Sequence, residues 1–474
     1  LKSKTKIIAT LGPASASARD IKELIDAGAD VLRINFSHGT DAFIQQLFDT
    51  VNELRIDYPY IAILADLEGP KIRVGEFEGG STKLIEGQTF ILDTGFKNSL
   101  GNNKCVYLDY KTYAGELAAG DILLLDDGNI KLEVQSTLTT RVNCKVIDGG
   151  ILSNRKGINK KGGGLSAEAI GPKDLLNIVV AHQNDADYIA VSFVKSYKDV
   201  HLVREKLNKL KSGIRVISKI ERVEALSGIE KIIEVSDGIM IARGDLGIEI
   251  GYAKLTGLQK QLIKLARSKH KIAITATQMM ESMIHNKSPT RAEVSDVANA
   301  VMDGTDAVML SAETAIGSHP KAVISVVGEL CVGAEEYDQI FDPSNIRLNE
   351  RFDSTEESIA MASIYIASHI DIRAILSLTQ TGQTVHWMSR QLSKIPIYGL
   401  TNNIAALRRM SLFRGVIPLF LDGLNVDFNK TENQLDKFLS KTNTLKSGDL
   451  VVLTCGDILD QAGGTNQLKI VSIP

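Results

Sequence analysis

Residues 215–243 open with Arg215-Val216-Ile217-Ser218-Lys219-Ile220-Glu221, continue through a longer stretch of helical character, and reach Gly238-Ile239-Met240-Ile241-Ala242-Arg243. Short β-branched runs separated by amphipathic helical stretches are the signature of consecutive βαβ units with parallel strands. Working outward, the same alternation gives strands at Lys4–Thr10, Val31–Phe36, Ile61–Leu67, Tyr188–Phe193, Arg215–Ile220, Gly238–Arg243, Ile272–Thr277 and Ala307–Ser311. Helical stretches lie between them, for example at Asp199–Leu210, Lys254–His270 and Arg291–Met302. Eight strand–helix units are the number that closes a (β/α)8 TIM barrel. A doubly wound open sheet is the alternative, disfavoured because no Gly-rich dinucleotide turn follows the first strand.

The alternation breaks between Lys71 and about Gly171. That stretch reads as strands (Ile72–Phe77, Thr89–Leu92, Ile122–Leu125, Lys131–Val134, Val142–Ile147) with Gly- and Asn-rich turns, and predicts an inserted β-barrel lid domain. From about Asp342 a third α/β unit follows, with strands Ala374–Leu378, Ile397–Leu400, Val416–Phe420, Leu450–Leu453 and Leu468–Val471. The expected organisation is a barrel from residues 1–70 and 172–341, a lid of residues 71–171 and a C-terminal α/β domain of residues 342–474.

Composition bounds the function. The chain has 474 residues, 44% hydrophobic and 23% charged, an ordinary globular balance. With 54 Lys plus Arg against 57 Asp plus Glu, the net charge of -3 argues against a nucleic-acid partner. No apolar run is long enough for a membrane span. The first residues, Leu1-Lys2-Ser3-Lys4-Thr5-Lys6, lack the apolar core of a signal peptide. Cys105, Cys144, Cys331 and Cys455 are widely spaced, so no zinc cluster or disulfide framework is expected and a cytoplasmic protein fits.

Polar residues fall at the C-terminal ends of the proposed barrel strands, where barrel enzymes carry their chemistry. These are Arg33 to Gly39, Asp66 with Arg73 just beyond, Ser218 to Glu221, Ala242 to Gly247, Thr275 to Gln278, and Ser311 to Glu313. Glu221 and Asp245 suit Mg²⁺, which takes one or two carboxylates and fills its octahedron with water and substrate oxygens. Lys219 lies two residues before Glu221, so both side chains leave an extended strand on one side. A lysine beside a metal and facing arginines is what phosphoryl transfer needs. Equally, spacing alone allows a structural salt bridge among strand-end charges. Arg33 and Arg73 could clamp a phosphate through forked hydrogen bonds. Gly244-Asp245-Leu246-Gly247 could offer backbone N–H groups to a carboxylate, or be an ordinary βα turn. Arg155-Lys156-Gly157 and Lys160-Lys161-Gly162-Gly163-Gly164 could cover nucleotide phosphates, or form a solvated hinge. His38 stands alone in a loop, and Met279, Met280 and Met283 read as packing.

Taken together these segments resemble the pyruvate kinase family. Ile214-Arg215-Val216-Ile217-Ser218-Lys219-Ile220-Glu221-Arg222-Val223-Glu224-Ala225-Leu226 is similar to the family's signature around its essential lysine. Residues 5–15, Asn35-Phe36-Ser37-His38-Gly39, Ala276 to Met283, Pro289 to Glu293 and Ser295 to Ala300 match further blocks in order. The resemblance implies a phosphotransferase of glycolysis that turns phosphoenolpyruvate and ADP into pyruvate and ATP. It implies Lys219 on the phosphoryl group in flight and Glu221 and Asp245 on Mg²⁺ (or Mn²⁺). Arg33 would bind phosphate, and Arg73, Lys156, Asn35 and His38 would face the nucleotide. The substrate carboxylate would meet the N–H groups near Gly244 and Asp245 and the Thr277 hydroxyl. Thr277 and Ser311 would relay the proton that converts enolate to pyruvate. A homotetramer is implied too.

One departure stands out. Potassium-dependent members resemble Asp-Thr-Lys-Gly-Pro-Glu-Ile-Arg where this chain has Asp66-Leu67-Glu68-Gly69-Pro70-Lys71-Ile72-Arg73. Asn35, Ser37, Asp66 and Leu67 remain a monovalent-ion site, but Lys71 puts an ammonium where an anionic residue stands elsewhere. The expectation is that K⁺ is not required. The third domain resembles the family's C-terminal α/β regulatory domain, and in it Thr379, Thr381, Gly382, Gln383 and Thr384 suit the phosphate of an effector. Asp457 and Asp460 in the later loop would repel a second phosphate, so a monophosphorylated effector is expected. Two readings compete: a lysine Schiff-base aldolase on the same barrel, and an effector-sensing protein without turnover.

Overall fold

The computed structural model describes residues 2–97, 99–110, 112–337, 351–421, 445–456 and 463–473. Eight parallel strands close a barrel: Lys6–Thr10, Val31–Asn35, Ala62–Asp66, Tyr188–Val191, Arg215–Ile220, Gly238–Ala242, Ile272–Ala276 and Ala307–Leu310. The first strand pairs with both the second and the eighth, which closes the ring. Alternation along each strand divides the core into two layers. Ile8, Leu64, Ile217, Met240, Ile274 and Met309 belong to one cluster, and Ile7, Ile63, Val216, Ile239 and Val308 to the one that includes the surrounding helices. Both sets are buried, which is why these strands read as near-continuous apolar runs.

Local chemistry sets the helix starts. Thr290 and Glu293 form a reciprocal capping box that opens the helix Arg291–Met302. Arg243 begins a helix, Arg243–Ile250, rather than ending the sixth strand as expected, and this aims its side chain at the neighbouring turn.

The insertion is a six-stranded sheet in the order Ile158–Lys160, Ile122–Leu125, Ile130–Thr137, Arg141–Asp148, Thr89–Asp93, Cys105–Tyr107. A two-stranded ribbon of Ser81–Leu84 and Gly150–Ser153 packs with it around one core that includes Phe90, Tyr113, Leu123 and Val146. The expected strand at Ile72–Phe77 does not form. Arg73 bridges Gly157, Val74 bridges Leu108, and Phe77 bridges Gly101, so the segment changes partner within a few residues and no ladder can grow.

The C-terminal sheet runs Val416–Phe420, Ile397–Thr401, Ile372–Leu378, Leu450–Gly456, Thr465–Ser472, parallel except for the last strand. The expected boundary at 341/342, and Asp457 and Asp460, lie outside the described residues. Among the described residues no helix is long and apolar enough to cross a membrane.

His386 marks where this domain meets the barrel. Its ring stacks obliquely on Phe413 at 4.6 Å, and Nε2 donates to the His270 carbonyl at 2.6 Å. Burial, with Arg390 nearby, pushes its pKa down to about 3. The unfolded chain therefore binds a proton below about pH 6.5 that the folded chain refuses, and stability falls as pH drops from there. The slope from this group is at most about 1.4 kcal/mol per pH unit. Denaturation at pH 6.5 and pH 5 should show a loss in the wild type that shrinks by about that amount in His386→Gln; equal losses would exclude the assignment.

Candidate active site

The C-terminal ends of the barrel strands, with Lys71 and Arg73 from the lid junction, line one cavity of about 740 Å³. At its floor lies a chain of buried charge. Asp66, at the end of the third strand, is fully buried and accepts from Arg33 Nε at 2.7 Å, with a second guanidinium nitrogen at 2.6 Å. Lys219 Nζ lies 3.3 Å from the other oxygen of Asp66, 3.1 Å from Glu221, and donates to the Ser192 hydroxyl at 2.8 Å. Burial acts to raise the Asp66 pKa, but Lys219 and Arg33 outweigh it and hold the carboxyl below its ordinary value. Burial likewise opposes charge on Lys219, which is 8% exposed, yet Asp66 and Glu221 keep its pKa above the usual lysine value. Lys219 is thus a fixed cation. A Schiff-base aldolase needs a lysine that gives up its proton, and this environment does the opposite.

Glu221, beside that cation, and Asp245 line the same cavity. Glu221 Oε2 accepts from the Phe193 N–H at 2.7 Å. Burial, with Asp245 adding repulsion, raises the Glu221 pKa, so a bound cation would relieve real strain there. Asp245 meets Lys71 Nζ at 3.1 and 3.3 Å. Two carboxylates on one cavity wall are the donor set a hard divalent cation takes.

The turns after the seventh and eighth strands supply hydroxyls. Thr277 Oγ1 donates to the Ala276 carbonyl at 2.6 Å and accepts from the Gly244 N–H at 2.8 Å. That N–H therefore serves the fold, and the expected carboxylate site retains Asp245 and Thr277 on the cavity wall. Ser311 lines the cavity, and its N–H donates to Glu313 at 2.7 Å. Glu313 also receives the Met280 N–H at 3.1 Å, tying the two turns together.

Asn35, Ser37, His38 and Arg73 line the same cavity, as expected for residues that face one ligand. His38 is held neutral: burial, then Arg73 and Arg33, depress its pKa. Lys156 stands apart from these residues. It does not line the cavity but pairs with Asp126 at 2.6 Å, and Lys160 and Arg155 pair with Asp121 and Glu76 at 2.8 and 2.7 Å. These lid carboxylates neutralise most of the cationic loop that the sequence suggested would cover phosphates. The monovalent-ion donors are also engaged. Asp66 is taken by Arg33 and Lys219, the Leu67 carbonyl accepts from Ser192 Oγ at 2.7 Å, and Asn35 Oδ1 accepts from the Ser37 N–H at 3.0 Å. Lys71 sits on Asp245 rather than among them.

The sequence reading assigned no role to Ser192, Arg243 or Glu313. Ser192 follows the fourth strand directly, a position that could have flagged it. Arg243 and Glu313 act on backbone groups of distant turns, which no local pattern reveals.

In the C-terminal domain, Thr379, Thr381, Gln383 and Thr384 line a hollow of about 50 Å³ with Trp387, Gly464 and Thr465. Gly382, at φ 82°, donates to Thr379 Oγ1 at 3.0 Å, and Thr384 meets Thr465 at 2.8 Å. Glu356 shares that hollow.

Residues 2–324 match the family model described as pyruvate kinase, barrel domain, and residues 357–471 the one described as pyruvate kinase, alpha/beta domain. A pyruvate kinase of Buchnera aphidicola subsp. Schizaphis graminum is 47% identical over 99% of this chain and 98% of its own. Pyruvate kinase II of Salmonella typhimurium is 43% identical over 99% and 98%. The crystal structure of a pyruvate kinase from Cryptosporidium parvum superposes with a TM-score of 0.90 at 33% identity, over 100% of this chain and 96% of that one.

Proposed function

The chain belongs to the pyruvate kinase family, and from that premise we propose how its own residues divide the work. The reaction transfers the phosphoryl group of phosphoenolpyruvate to ADP. An oxygen of the ADP β-phosphate bonds to phosphorus, the bond from phosphorus to the enol oxygen breaks, and the enolate gains a proton at carbon to become pyruvate. The observation that carries the assignment of roles is the buried Lys219, held between Asp66 and Glu221 and facing a cavity it shares with Arg33, Glu221 and Asp245.

Lys219 and Arg33 stabilise the negative oxygens of the phosphoryl group as it moves, which is the main task in this chemistry. Asp66 positions both cations, because one carboxylate receives them both. The family uses a divalent cation; here Glu221 and Asp245 would hold it, as Mg²⁺ or Mn²⁺, supplying charge neutralisation for the phosphate and enolate oxygens. Arg73, with Asn35 and His38, faces the nucleotide, and the neutral imidazole of His38 suits a base or ribose contact better than a phosphate. Lys156 joins them only if the lid moves it off Asp126. Thr277 and the N–H of Asp245 orient the substrate carboxylate. Thr277 and Ser311 pass a proton toward the enolate face through water.

Lys71 replaces K⁺ as a fixed charge, acting from the Asp245 side of the cavity. The initial rate of pyruvate formation from phosphoenolpyruvate, ADP and Mg²⁺ should be equal with and without K⁺. Lys71→Glu should lower it about 10-fold or more, since a carboxylate there would repel Asp245, and K⁺ should restore part of the loss. A K⁺-dependent wild type, or a variant with an unchanged salt response, would refute this; no turnover in either buffer would refute the roles assigned above.

The Thr379–Thr384 hollow takes one phosphate of a small effector, with Glu356 disfavouring a second. The chain works as a homotetramer, with unit boundaries at 70/71, 171/172 and 341/342.

A further inference from the structure

We infer that Arg243 is a positioning residue for this reaction: its guanidinium holds the turn after the seventh barrel strand in a left-handed conformation and so fixes where the Thr277 hydroxyl stands in the cavity. This rests on the role proposed for Thr277 and deepens it.

Thr277 and Gln278 have φ 69° and φ 53°. Two consecutive non-glycine residues in that region are unusual, and for a β-branched threonine the conformation is an outlier that persists only where its surroundings impose it. Arg243 is the residue that imposes it. Its Nη2 donates to the Thr277 carbonyl at 2.8 Å and to the Gln278 carbonyl at 3.2 Å, Nε reaches the Thr277 carbonyl at 3.3 Å, and Met279 Sδ lies at 2.9 Å. Three successive residues of the turn are thus gripped by one rigid fork. The fork is itself fixed, for Asp296 takes Nη1 at 2.7 Å and Gln259 lies at 3.4 Å. Arg243 is 6% exposed, so these contacts do not compete with bulk water.

The backbone completes the grip. Gly244, the very next residue, donates its N–H to Thr277 Oγ1 at 2.8 Å. A single dipeptide at the end of the sixth strand therefore holds Thr277 by its carbonyl and by its hydroxyl. Asp245 follows at once, so the same helix start that carries a proposed metal ligand also sets the threonine. Any rotation of the Arg243 fork would move Thr277 relative to Asp245, and displacement of a reacting group by about 1 Å can cost about 100-fold in rate.

Arg243→Lys keeps the charge and loses the fork. Its kcat should fall about 10- to 100-fold, its KM for phosphoenolpyruvate should rise several-fold, and its KM for ADP should stay put, because the nucleotide is read on the Arg73 side. Thr277→Ala should lose kcat to a similar degree, and Arg243→Lys added to it should cost less than about 2-fold more, since coupled residues are not additive. Asp296→Asn, which loosens the fork from outside the cavity, should shift kcat and the phosphoenolpyruvate KM in the same direction by roughly 3- to 10-fold. Should Arg243→Lys melt too early to assay, Asp296→Asn decides. A wild-type kcat in the fully folded variant, losses that multiply with Thr277→Ala, or an equal rise in both KM values would overturn the inference alone. A Thr277→Ala enzyme at the wild-type rate would remove the role of Thr277 and the inference with it.

Discussion

Replacing Lys219 by Met is expected to lower kcat by about 1,000-fold or more while the chain still folds. Loss of one preorganised charge from a water-poor site costs about 3–4 kcal/mol of transition-state stabilisation, and a cation aimed at a phosphoryl group in flight is worth about 10³–10⁵. Methionine nearly matches the lysine stem, so the cavity wall keeps its shape. The charges left behind are partly provided for. Asp66 keeps both nitrogens of Arg33, and Glu221 keeps the Phe193 N–H. Glu221 nevertheless loses the neighbour that lowers its pKa, on top of a burial that already raises it. Its pKa should rise further, so that a proton and a divalent cation compete for it more strongly than in the wild type. Pyruvate formation, circular dichroism and calorimetric titration of Mn²⁺ would measure the three effects. A folded variant with a rate near the wild type would exclude Lys219 as the group that carries the phosphoryl charge.

How far the sequence foretold this depends on where each partner lies along the chain. The barrel was legible because parallel strands buried on both faces leave short apolar runs, and Tyr188–Val191 and Gly238–Ala242 are almost nothing else. Lys219 and Glu221 were legible because a period of two puts them on one side of a strand end. The lid entry at Ile72–Phe77 misled because its apolar spacing suits a strand, whereas a side chain at Gly75 would come within 3.0 Å of Tyr107 and the segment bridges three separate partners. The pairing of Lys156 was not legible for another reason: a run of cations beside glycines carries no mark of the lid carboxylates, Asp121 and Asp126, that pair with it. Arg243 and Glu313 were on view within their motifs, but the turn they hold, through the backbone of Thr277, Gln278 and Met280, is 33 to 35 residues away, and only the closed barrel brings it near.

The second large effect concerns the base of the barrel. Arg390, from the C-terminal domain, is 3% exposed, and Asp306, just before the eighth barrel strand, is 2% exposed. Nη1 donates to Asp306 Oδ2 at 2.6 Å and to the Lys271 carbonyl at 3.0 Å, while Nη2 bonds Oδ1. Asp306 Oδ2 also receives the Ala273 N–H at 2.8 Å, so the pair joins the two domains and the seventh strand at one point. Arg267 closes the circle by donating to the Arg390 carbonyl at 2.9 Å. Arg390→Ala would strand a buried carboxylate, a change that costs about 3–5 kcal/mol, and the apparent melting temperature should fall by roughly 5–10 °C. The test of cause lies in the repair. Arg390→Met with Asp306→Asn removes both charges and fills the space, and a well-packed neutral pair can match a buried ion pair. The double variant should therefore recover most of the loss, because the introduced amide can still accept from the Ala273 N–H once its oxygen faces inward. If the double variant were as unstable as Arg390→Ala, the loss would come from packing and not from an uncompensated charge. If Arg390→Ala melted with the wild type, the fork between the domains would contribute nothing to holding them together.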